Sequence, residues 1–186
     1  MGKLIVSMWT TLDGFIGDTE GPNFVLDDDE MAAYETALVN NADTLLLGRQ
    51  TYQDFVSYWP NRPNDPKVTA YEKTIANAFN AMRKFVVSKS LTQATWQGTN
   101  ILKDIVPKEI EKIKKESDKN IIMYGSASIV QQLMKLGLMD EYQLLVHPLT
   151  LGSGVPLFKD RVNLNLVKAE QFKSGVMFLT YQPRQS

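Results

Sequence analysis

The sequence predicts an α/β protein with a mixed, mostly parallel central sheet, helices on both faces of that sheet and a C-terminal antiparallel hairpin. Short apolar runs rich in β-branched residues alternate with helical segments, and this alternation is typical of parallel strands joined by helices. The last two apolar runs flank Lys173-Ser174-Gly175, a natural hairpin turn. The 186 residues contain no low-complexity linker and no long repeat, so we expect one domain over residues 1–186.

The predicted strands are short apolar runs bounded by turn residues. The first, KLIVSMWT, lies close to the N-terminus, and the last two form the hairpin. The predicted strands cover residues 3–10, 43–48, 84–88, 120–125, 141–149, 162–172 and 176–183.

Helices are predicted between these strands, over residues 27–40, 51–59, 65–79, 106–118 and 126–138. The first begins with acidic residues, which the helix dipole favours, and the second ends before Pro60. Pro66 lies near the first turn of the third helix, as is common at a helix start. Ile110 and Ile113 share one side of the fourth helix, and Gly137 predicts the end of the fifth.

The composition excludes several classes of function. Lys and Arg total 20 against 21 Asp and Glu, so no basic excess attracts nucleic acid or an anionic membrane surface. The chain has no cysteine and one histidine, so we expect no thiolate catalysis, no disulfide and no metal site. The N-terminus has neither a signal-peptide pattern nor a long apolar stretch. We therefore expect a cytoplasmic protein without a nucleic-acid or membrane partner.

One strand–helix junction, LLLGRQTY, has the chemistry of a phosphate site. Gly48 lets the backbone approach a ligand, Arg49 offers a bidentate guanidinium, and Thr51 can cap the helix or donate to a phosphate. Ligands of parallel sheets bind beyond the carboxyl ends of the strands, where helix N-termini present free amides. A plain turn with a surface arginine is the alternative, and spacing alone favours it.

A second junction, MYGSASIVQQL, places Gly125, Ser126, Ala127 and Ser128 between an apolar strand and an amphipathic helix. Small residues there allow a pyrophosphate to approach the backbone amides. The motif is not a full GxGxxG and has no Walker lysine, and a serine that simply caps the helix is the common alternative. The two junctions support each other, because a dinucleotide can span neighbouring strand ends.

A third strand end, Ser88-Lys89-Ser90, carries a cation between two hydroxyl groups. This triplet could bind a 2′-phosphate and so select NADP over NAD, since no acidic residue is present there to hold a free ribose 2′-hydroxyl. A solvated turn is the alternative explanation.

The ordered motifs TTLDGFIGD, LLLGRQTY, FVVSKSL and IIMYGSASIVQQLMKLGLMDEYQLLVHPLTLGSGVPLF resemble those of dihydrofolate-reductase-like proteins. They are most similar to the C-terminal reductase domain of the bifunctional riboflavin-biosynthesis deaminase–reductase, from Lys3 to about Tyr181. The resemblance implies a central mixed sheet with NADPH bound across the strand ends. It also makes a homodimer possible, because members of the family often pair.

The resemblance assigns parts of the cofactor to all three strand ends and to the loop after the first strand. Phosphates are implied at the two helix junctions, the 2′-phosphate at the third strand end, and the nicotinamide beside the first loop. The residues implied to bind NADP are Ile16, Gly17, Gly48, Arg49, Thr51, Ser88, Lys89, Gly125, Ser126, Ala127 and Ser128.

For the substrate, the resemblance points to Asp13 in the LDG motif and Glu141 in the DEYQLL segment. For both residues the alternative is a structural role, as a polar residue of a turn. Dihydrofolate reductases use one acidic residue near the first helix to assist protonation of a pterin, and Glu30 is the candidate here, although an acidic helix start explains it as well. His147 lies in an apolar run and is interpreted as a packed residue.

The residues and the resemblance together predict an NADPH-dependent reductase. It would transfer hydride to a C=N or carbonyl bond of a small heterocyclic substrate, of the pterin or ribosylaminopyrimidine type. The alternative is a non-catalytic module that binds NADP(H) or another nucleotide on the same fold. Trp9, Phe15, Tyr34 and Trp59 are candidates to line a flat substrate pocket, although core packing explains them too.

Overall fold

A computed structural model of the protein describes residues 1–18, 21–26 and 28–184. Within these residues the strands are β1 (Leu4–Thr11), β2 (Ala42–Gly48), β3 (Arg83–Val87), β4 (Thr99–Leu102), β5 (Asn120–Met123), β6 (Glu141–His147), β7 (Leu164–Gln171) and β8 (Met177–Pro183). The helices are α1 (Asp29–Asn40), α2 (Arg49–Tyr58), α3 (Ala70–Ala81), α4 (Pro107–Glu116) and α5 (Ala127–Lys135), with a 3-10 turn over Arg62–Asn64.

The strands form one eight-stranded sheet in the order β4-β3-β2-β5-β1-β6-β8-β7. Strands β1 to β6 pair in parallel with one another. Strand β8 pairs antiparallel with both β6 and β7. The predicted mixed, mostly parallel sheet and its C-terminal hairpin are therefore confirmed. Because β3, β2, β5 and β1 are neighbours that run in one direction, their carboxyl ends meet at one edge of the sheet.

Apolar side chains cover both faces of the sheet, as the alternation of strands and helices predicts. On one face, Val6 of β1 belongs to a buried cluster with Ile110 of α4 and Leu133 of α5. On the other face, which we call the α1 face, Ile5 of β1 shares a second cluster with Leu38 of α1. Neighbouring residues of β1 thus point to opposite faces, and each face has its own core.

The predicted start of the third helix at residue 65 is wrong, because α3 begins at Ala70. The hydroxyl of Thr69 accepts a hydrogen bond from the Glu72 amide at 3.1 Å, and the Glu72 carboxylate accepts one from the Thr69 amide at 3.0 Å. This reciprocal capping box fixes the helix start more strongly than Pro66, which lies in the preceding turn.

Strand β4 was not predicted from the sequence. Its four residues, TNIL, contain two apolar side chains, which is too short a pattern to identify a strand. The strand forms because the outer edge of β3 is open. The Lys84 amide donates to the Gly98 carbonyl at 2.9 Å, and the Ser88 amide donates to the Leu102 carbonyl at 2.9 Å.

Candidate active site

A cleft of about 330 Å³ lies at the carboxyl ends of β1 and β5. Its walls come from α1, α2, the first residues of α5 and the loop after β1. Aromatic rings are supplied by Trp9, Phe55 and Tyr124, and polar groups by Ser7, Glu35 and Thr51. Of the four aromatic residues proposed for the pocket, Trp9 lines the cleft, whereas Phe15, Tyr34 and Trp59 lie outside its lining.

The two glycine junctions are in direct contact at this cleft. The Gly48 amide donates to the Gly125 carbonyl at 3.1 Å. A Cβ atom on Gly48 would lie 2.5 Å from Ser126 Oγ, and one on Gly125 would lie 3.2 Å from Thr51 Oγ1. Gly125 also has a φ of +121°, which side chains rarely allow. Glycine at both positions therefore lets the starts of α2 and α5 approach each other closely.

Neither of these two helix starts has a side-chain cap. Gly48 is the N-cap of α2, and Ser126 is the N-cap of α5 but makes no capping hydrogen bond. By contrast, Asp28 caps α1 and Thr69 caps α3 through their side chains. First-turn amides have no acceptor within their own helix, so both termini present free N–H groups and a positive dipole end. This arrangement suits phosphate oxygens.

Arg49 begins α2 at the rim of the same region. Its side chain is exposed and makes no hydrogen bond or ion pair with the described part of the chain. Thr51, two residues further along α2, lines the cleft itself. A guanidinium without a partner next to two uncapped helix starts can reach an anion bound there.

Ser88 and Lys89 follow β3, one strand from the Gly48 junction, since Gly48 pairs with Val87. The Ser88 hydroxyl accepts a hydrogen bond from the Leu91 amide at 2.9 Å, so it stabilises a turn. The Lys89 side chain is 83% exposed, and its ammonium lies 3.9 Å from the Asp104 carboxylate. Lys89 therefore lies at the same edge of the sheet as the glycine junctions, and a long surface ion pair with Asp104 is its contact there.

Ile16 and Gly17 line the cleft from the loop after β1. The Ile16 amide donates to the Val155 carbonyl, and the Val155 amide donates to the Gly17 carbonyl, both at 2.9 Å. A Cβ atom on Gly154 would lie 2.5 Å from the Gly17 carbonyl oxygen. The segment around Gly154 therefore holds this loop against the cleft, as a wall for a flat ring would require.

Asp13 is not in the lining of the cleft. Its carboxylate accepts hydrogen bonds from Thr11 Oγ1 at 2.5 Å, from the Gly152 amide at 2.8 Å and from the Leu151 amide at 3.2 Å. The Thr11 hydroxyl is the main cause of a lowered pKa for Asp13. The carboxylate ties two loops together, and this geometry gives no support to a catalytic role.

Glu141 lies at the opposite end of the sheet from the glycine junctions, because it begins β6 beside Ile5. It is 8% exposed and faces a separate open cavity of about 540 Å³ on the α1 face. Glu30 borders the same cavity, and its carboxylate accepts a hydrogen bond from the Lys173 amide at 2.5 Å. Neither Glu30 nor Glu141 lines the cleft, so neither is placed to touch a substrate bound there.

Three acidic residues line the cleft, the exposed Asp18 and Asp54 and the buried Glu35, and sequence reasoning missed the buried one. It lies on α1, is 7% exposed, and accepts a hydrogen bond from the Tyr124 hydroxyl at 3.0 Å. Burial, and then the charge of Glu35, raises the pKa of Tyr124 well above its ordinary value. A signal was present in the sequence, because Glu35 occupies the buried stripe of α1 with Met31 and Leu38.

His147 is packed, as interpreted from the sequence. Its ring is fully buried, lies 5.2 Å from the Phe24 ring in an edge-on contact, and has Nδ1 3.0 Å from the Leu145 carbonyl. Burial lowers the pKa of His147. The carbonyl must accept from Nδ1–H, so the neutral ring serves the structure rather than the cleft.

The sheet order is that of a dihydrofolate-reductase-like fold. The chain belongs to the RibD C-terminal domain family, whose model matches residues 2–178. It is 35% identical over 186 residues to the uncharacterized protein YyaP of Bacillus subtilis (strain 168), a match that covers 96% of this chain and 94% of that protein.

Two solved structures show the same fold at low sequence identity. RibD from Acinetobacter baumannii, form 1, matches with a TM-score of 0.70 and 15% identity, covering 100% of this chain and 59% of that chain. Dihydrofolate reductase from Enterococcus faecalis, complexed with NADP(H) and RAB-propyl, matches with a TM-score of 0.64 and 15% identity, covering 99% and 98% of the two chains. In the part of the chain that the structure describes, no helix is long and apolar enough to cross a membrane.

Proposed function

We propose that the protein is an NADPH-dependent reductase that transfers hydride to a small heterocycle of the pterin or ribosylaminopyrimidine type. One observation carries this proposal: two uncapped helix starts meet at an aromatic cleft that also contains the buried carboxylate of Glu35. The first feature suits the phosphates of a dinucleotide, and the second suits a polar heterocycle.

The chemistry of the residues present suits the phosphates and the nicotinamide of NADP. The first-turn amides of α2 and α5 and the guanidinium of Arg49 would hold the phosphates. Lys89 would hold the 2′-phosphate, and Ile16 and Gly17 would flank the nicotinamide. The bound cofactor would supply the hydride, so the task of this chain is to position the two rings and to exclude water.

Glu35 is the residue that we propose for handling protons at the substrate. Reduction of a C=N bond needs a proton as well as a hydride, and a carboxyl group within hydrogen-bonding reach can hold it. The Tyr124 hydroxyl, which donates to Glu35 Oε2, fixes the orientation of the carboxylate. Asp13 and Glu141, which the sequence suggested for this role, lie outside the cleft.

A non-catalytic module that binds NADP(H) would use the same phosphate residues. Such a module has no use for a 7% exposed carboxylate at its pocket, whereas the reduction of a C=N bond needs a group that handles a proton. The position of Glu35 therefore favours the reductase over the binding module.

Titration with NADPH, followed by its fluorescence, tests the cofactor, and oxidation of NADPH in the presence of pterins and ribosylaminopyrimidines tests the reaction. We expect binding of NADPH and its oxidation with at least one compound. Binding without oxidation across the panel would favour the module. A protein that leaves NADPH fluorescence unchanged, beside a control reductase that responds, would refute both functions.

We also propose that the protein acts in the cytoplasm, without a nucleic-acid partner, as a homodimer. Strand β7 is at the edge of the sheet, and its Leu166 and Val167 are 56% and 55% exposed. Exposed apolar residues on a strand whose outer side has no neighbouring strand favour pairing with another chain. Light scattering should give the mass of a dimer for the wild type and of a monomer for Val167→Lys; a wild-type monomer would refute the pairing.

A further inference from the structure

A chain of hydrogen bonds on the α1 face joins the cleft to Glu141. Ser7, at the floor of the cleft, is 2% exposed, and its Oγ lies 2.8 Å from the Tyr34 hydroxyl. The Tyr34 hydroxyl also lies 2.8 Å from Gln143 Oε1. Gln143 Nε2 in turn donates to Glu141 Oε1 at 2.8 Å. The order of the chain is therefore Ser7, Tyr34, Gln143 and Glu141.

The far end of this chain fixes the direction of every hydrogen bond in it. The Glu141 carboxylate can only accept, and it is surrounded by donors, because Gln182 Nε2 lies at 3.1 Å and Lys3 Nζ at 3.3 Å. The Gln143 amide must then point its NH₂ group towards Glu141 and its oxygen towards Tyr34. An amide in the reverse orientation would place two oxygens against each other.

The hydroxyl of Tyr34 has one hydrogen, and Gln143 Oε1 takes it. Burial raises the pKa of Tyr34 well above its ordinary value, so this hydrogen is retained at neutral pH. The hydrogen between Ser7 and Tyr34 must consequently come from Ser7. Once the Ser7 hydrogen is used in this way, Ser7 Oγ has only lone pairs to offer to the cleft.

We propose that the chain from Glu141 to Ser7 makes Ser7 an obligatory hydrogen-bond acceptor at the floor of the cleft, so that the site selects ligands that present an N–H or O–H group there. Ser7 is the residue that contacts the ligand, and Tyr34, Gln143 and Glu141 are positioning residues. The inference rests on the proposed function, because it takes the cleft to be the substrate site.

The test compares 6-aminouracil with its fully N-methylated analogue, which has the same ring and carbonyl groups but no N–H group. Affinities for both compounds are measured by ligand-observed NMR, with NADPH binding followed by fluorescence on the same samples. The quantity of interest is the preference for the N–H compound, which is the Kd of the methylated analogue divided by the Kd of 6-aminouracil. Tyr34→Phe leaves the lining of the cleft unchanged, so the steric effects of the methyl groups cancel when its preference is compared with that of the wild type.

Three variants decide the outcome. Ser7→Ala removes the acceptor, and Tyr34→Phe frees the Ser7 hydrogen to point into the cleft, so each should reduce the preference roughly fivefold, the size of one ordinary hydrogen bond. Tyr142→Phe is the matched control, because the Tyr142 hydroxyl is buried on the opposite face of β6 without a partner among the described residues. It should keep the wild-type preference.

A wild-type protein that binds neither compound, or that binds both equally, would overturn the inference. So would a Tyr34→Phe variant and a Ser7→Ala variant that keep the wild-type preference. These outcomes are distinct from failure of the proposed function. A protein that discriminates between the compounds as expected but does not bind NADPH would refute the reductase and leave the role of Ser7 intact.

Discussion

Replacing Gly48 by alanine should push apart the two helix starts that meet at the cleft. The backbone of Gly48 has φ −76° and ψ 161°, an extended geometry that alanine adopts without strain. With free space around it, alanine would therefore stabilise the protein by about 0.4–1 kcal/mol, through the entropy of the unfolded chain. The space is not free, because the new Cβ would lie 2.5 Å from Ser126 Oγ and 2.9 Å from Ser126 N.

These contacts decide the sign of the effect. The Ser126 hydroxyl can rotate away, but its backbone nitrogen cannot, and overpacking of this kind costs about 1–3 kcal/mol. With mid-range values of the cost and of the entropic gain, we expect the free energy of unfolding to fall by about 1.3 kcal/mol. For a chain of this size, that corresponds to a Tm lower by about 3–5 °C. The Kd for NADPH should rise roughly tenfold, or about 1.4 kcal/mol, because the free amides of α2 and α5 no longer converge.

A double-mutant cycle with Ser126→Gly separates the contact with Oγ from the contact with the backbone nitrogen, since glycine removes the Oγ atom and leaves the nitrogen in place. Thermal unfolding and NADPH fluorescence are measured for the wild type, both single variants and the double variant. We expect Ser126→Gly to recover part of the stability that Gly48→Ala loses. A Gly48→Ala protein as stable as the wild type, with an unchanged Kd for NADPH, would show that the two junctions do not form one phosphate site.

Four other substitutions test individual residues. Arg49→Ala should weaken NADPH binding by about 1.5–3 kcal/mol, the range for a charged hydrogen bond, as measured by fluorescence titration. Lys89→Ala should reduce the preference for NADPH over NADH, measured by the same titration with both cofactors. Glu35→Gln should lower kcat by roughly 100-fold while leaving the Kd for NADPH unchanged, because it removes a proton-handling group and no phosphate contact. Lys84→Met should lower the free energy of unfolding by about 1–3 kcal/mol in chemical denaturation, because the ammonium of Lys84 donates to the carbonyls of Asn80, Met82 and Gln97.

Matched variants give the first three of these tests a reference. Arg161→Ala and Lys108→Ala remove exposed charges away from the cleft, and a loss of NADPH affinity equal to theirs would contradict the roles of Arg49 and Lys89. Glu30→Gln should keep the wild-type kcat, and a Glu35→Gln protein with the same kcat as Glu30→Gln would rule out Glu35 as the proton-handling group.

The buried ammonium of Lys84 also predicts a pH dependence. Burial lowers the pKa of Lys84 from 10.5 to about 8. Between these two values the unfolded chain binds more protons than the folded chain, so the free energy of unfolding should rise as the pH rises through this window. Lys84→Met should remove that rise. An identical slope in the variant and the wild type would mean that another group titrates there.

The fold, and the meeting of the two glycine junctions at one edge of the sheet, were predictable because their signals are local. An apolar run followed by Gly48-Arg49, or by Gly125-Ser126, identifies a strand end and a helix start from adjacent residues. In the structure, β2 and β5 are neighbours that pair in parallel, and this places the two ends at one edge of the sheet. Strand β4 lacked such a signal, since its TNIL sequence becomes a strand only where β3 offers an open edge.

The side of the cleft where we propose that the substrate binds was not predictable in the same way, because its buried acidic residue, Glu35, is identified by packing. Asp13 and Glu30 stood out in the sequence because they lie next to a turn and at a helix start. In the folded chain, both carboxylates accept hydrogen bonds from backbone amides. Glu35 has no neighbouring motif in the sequence. It becomes part of the cleft because Tyr124, the residue after β5, lies against α1 and donates a hydrogen bond to it. A charge within the apolar stripe of a helix is the one feature of the sequence that pointed to it.

Glu141 shows how a residue can influence a cleft that it does not line. Glu141 begins β6 at the far end of the sheet from the glycine junctions. Its carboxylate accepts a hydrogen bond from Gln143, and this fixes the direction of the hydrogen bonds from Gln143 through Tyr34 to Ser7. Glu141→Gln keeps the size of the side chain but replaces a carboxylate, which only accepts hydrogen bonds, by an amide that can also donate. It should therefore alter the preference for N–H ligands and leave the Kd for NADPH unchanged. A residue that touched the cofactor would change that Kd directly, so the two measurements separate action through the hydrogen-bond chain from action by contact.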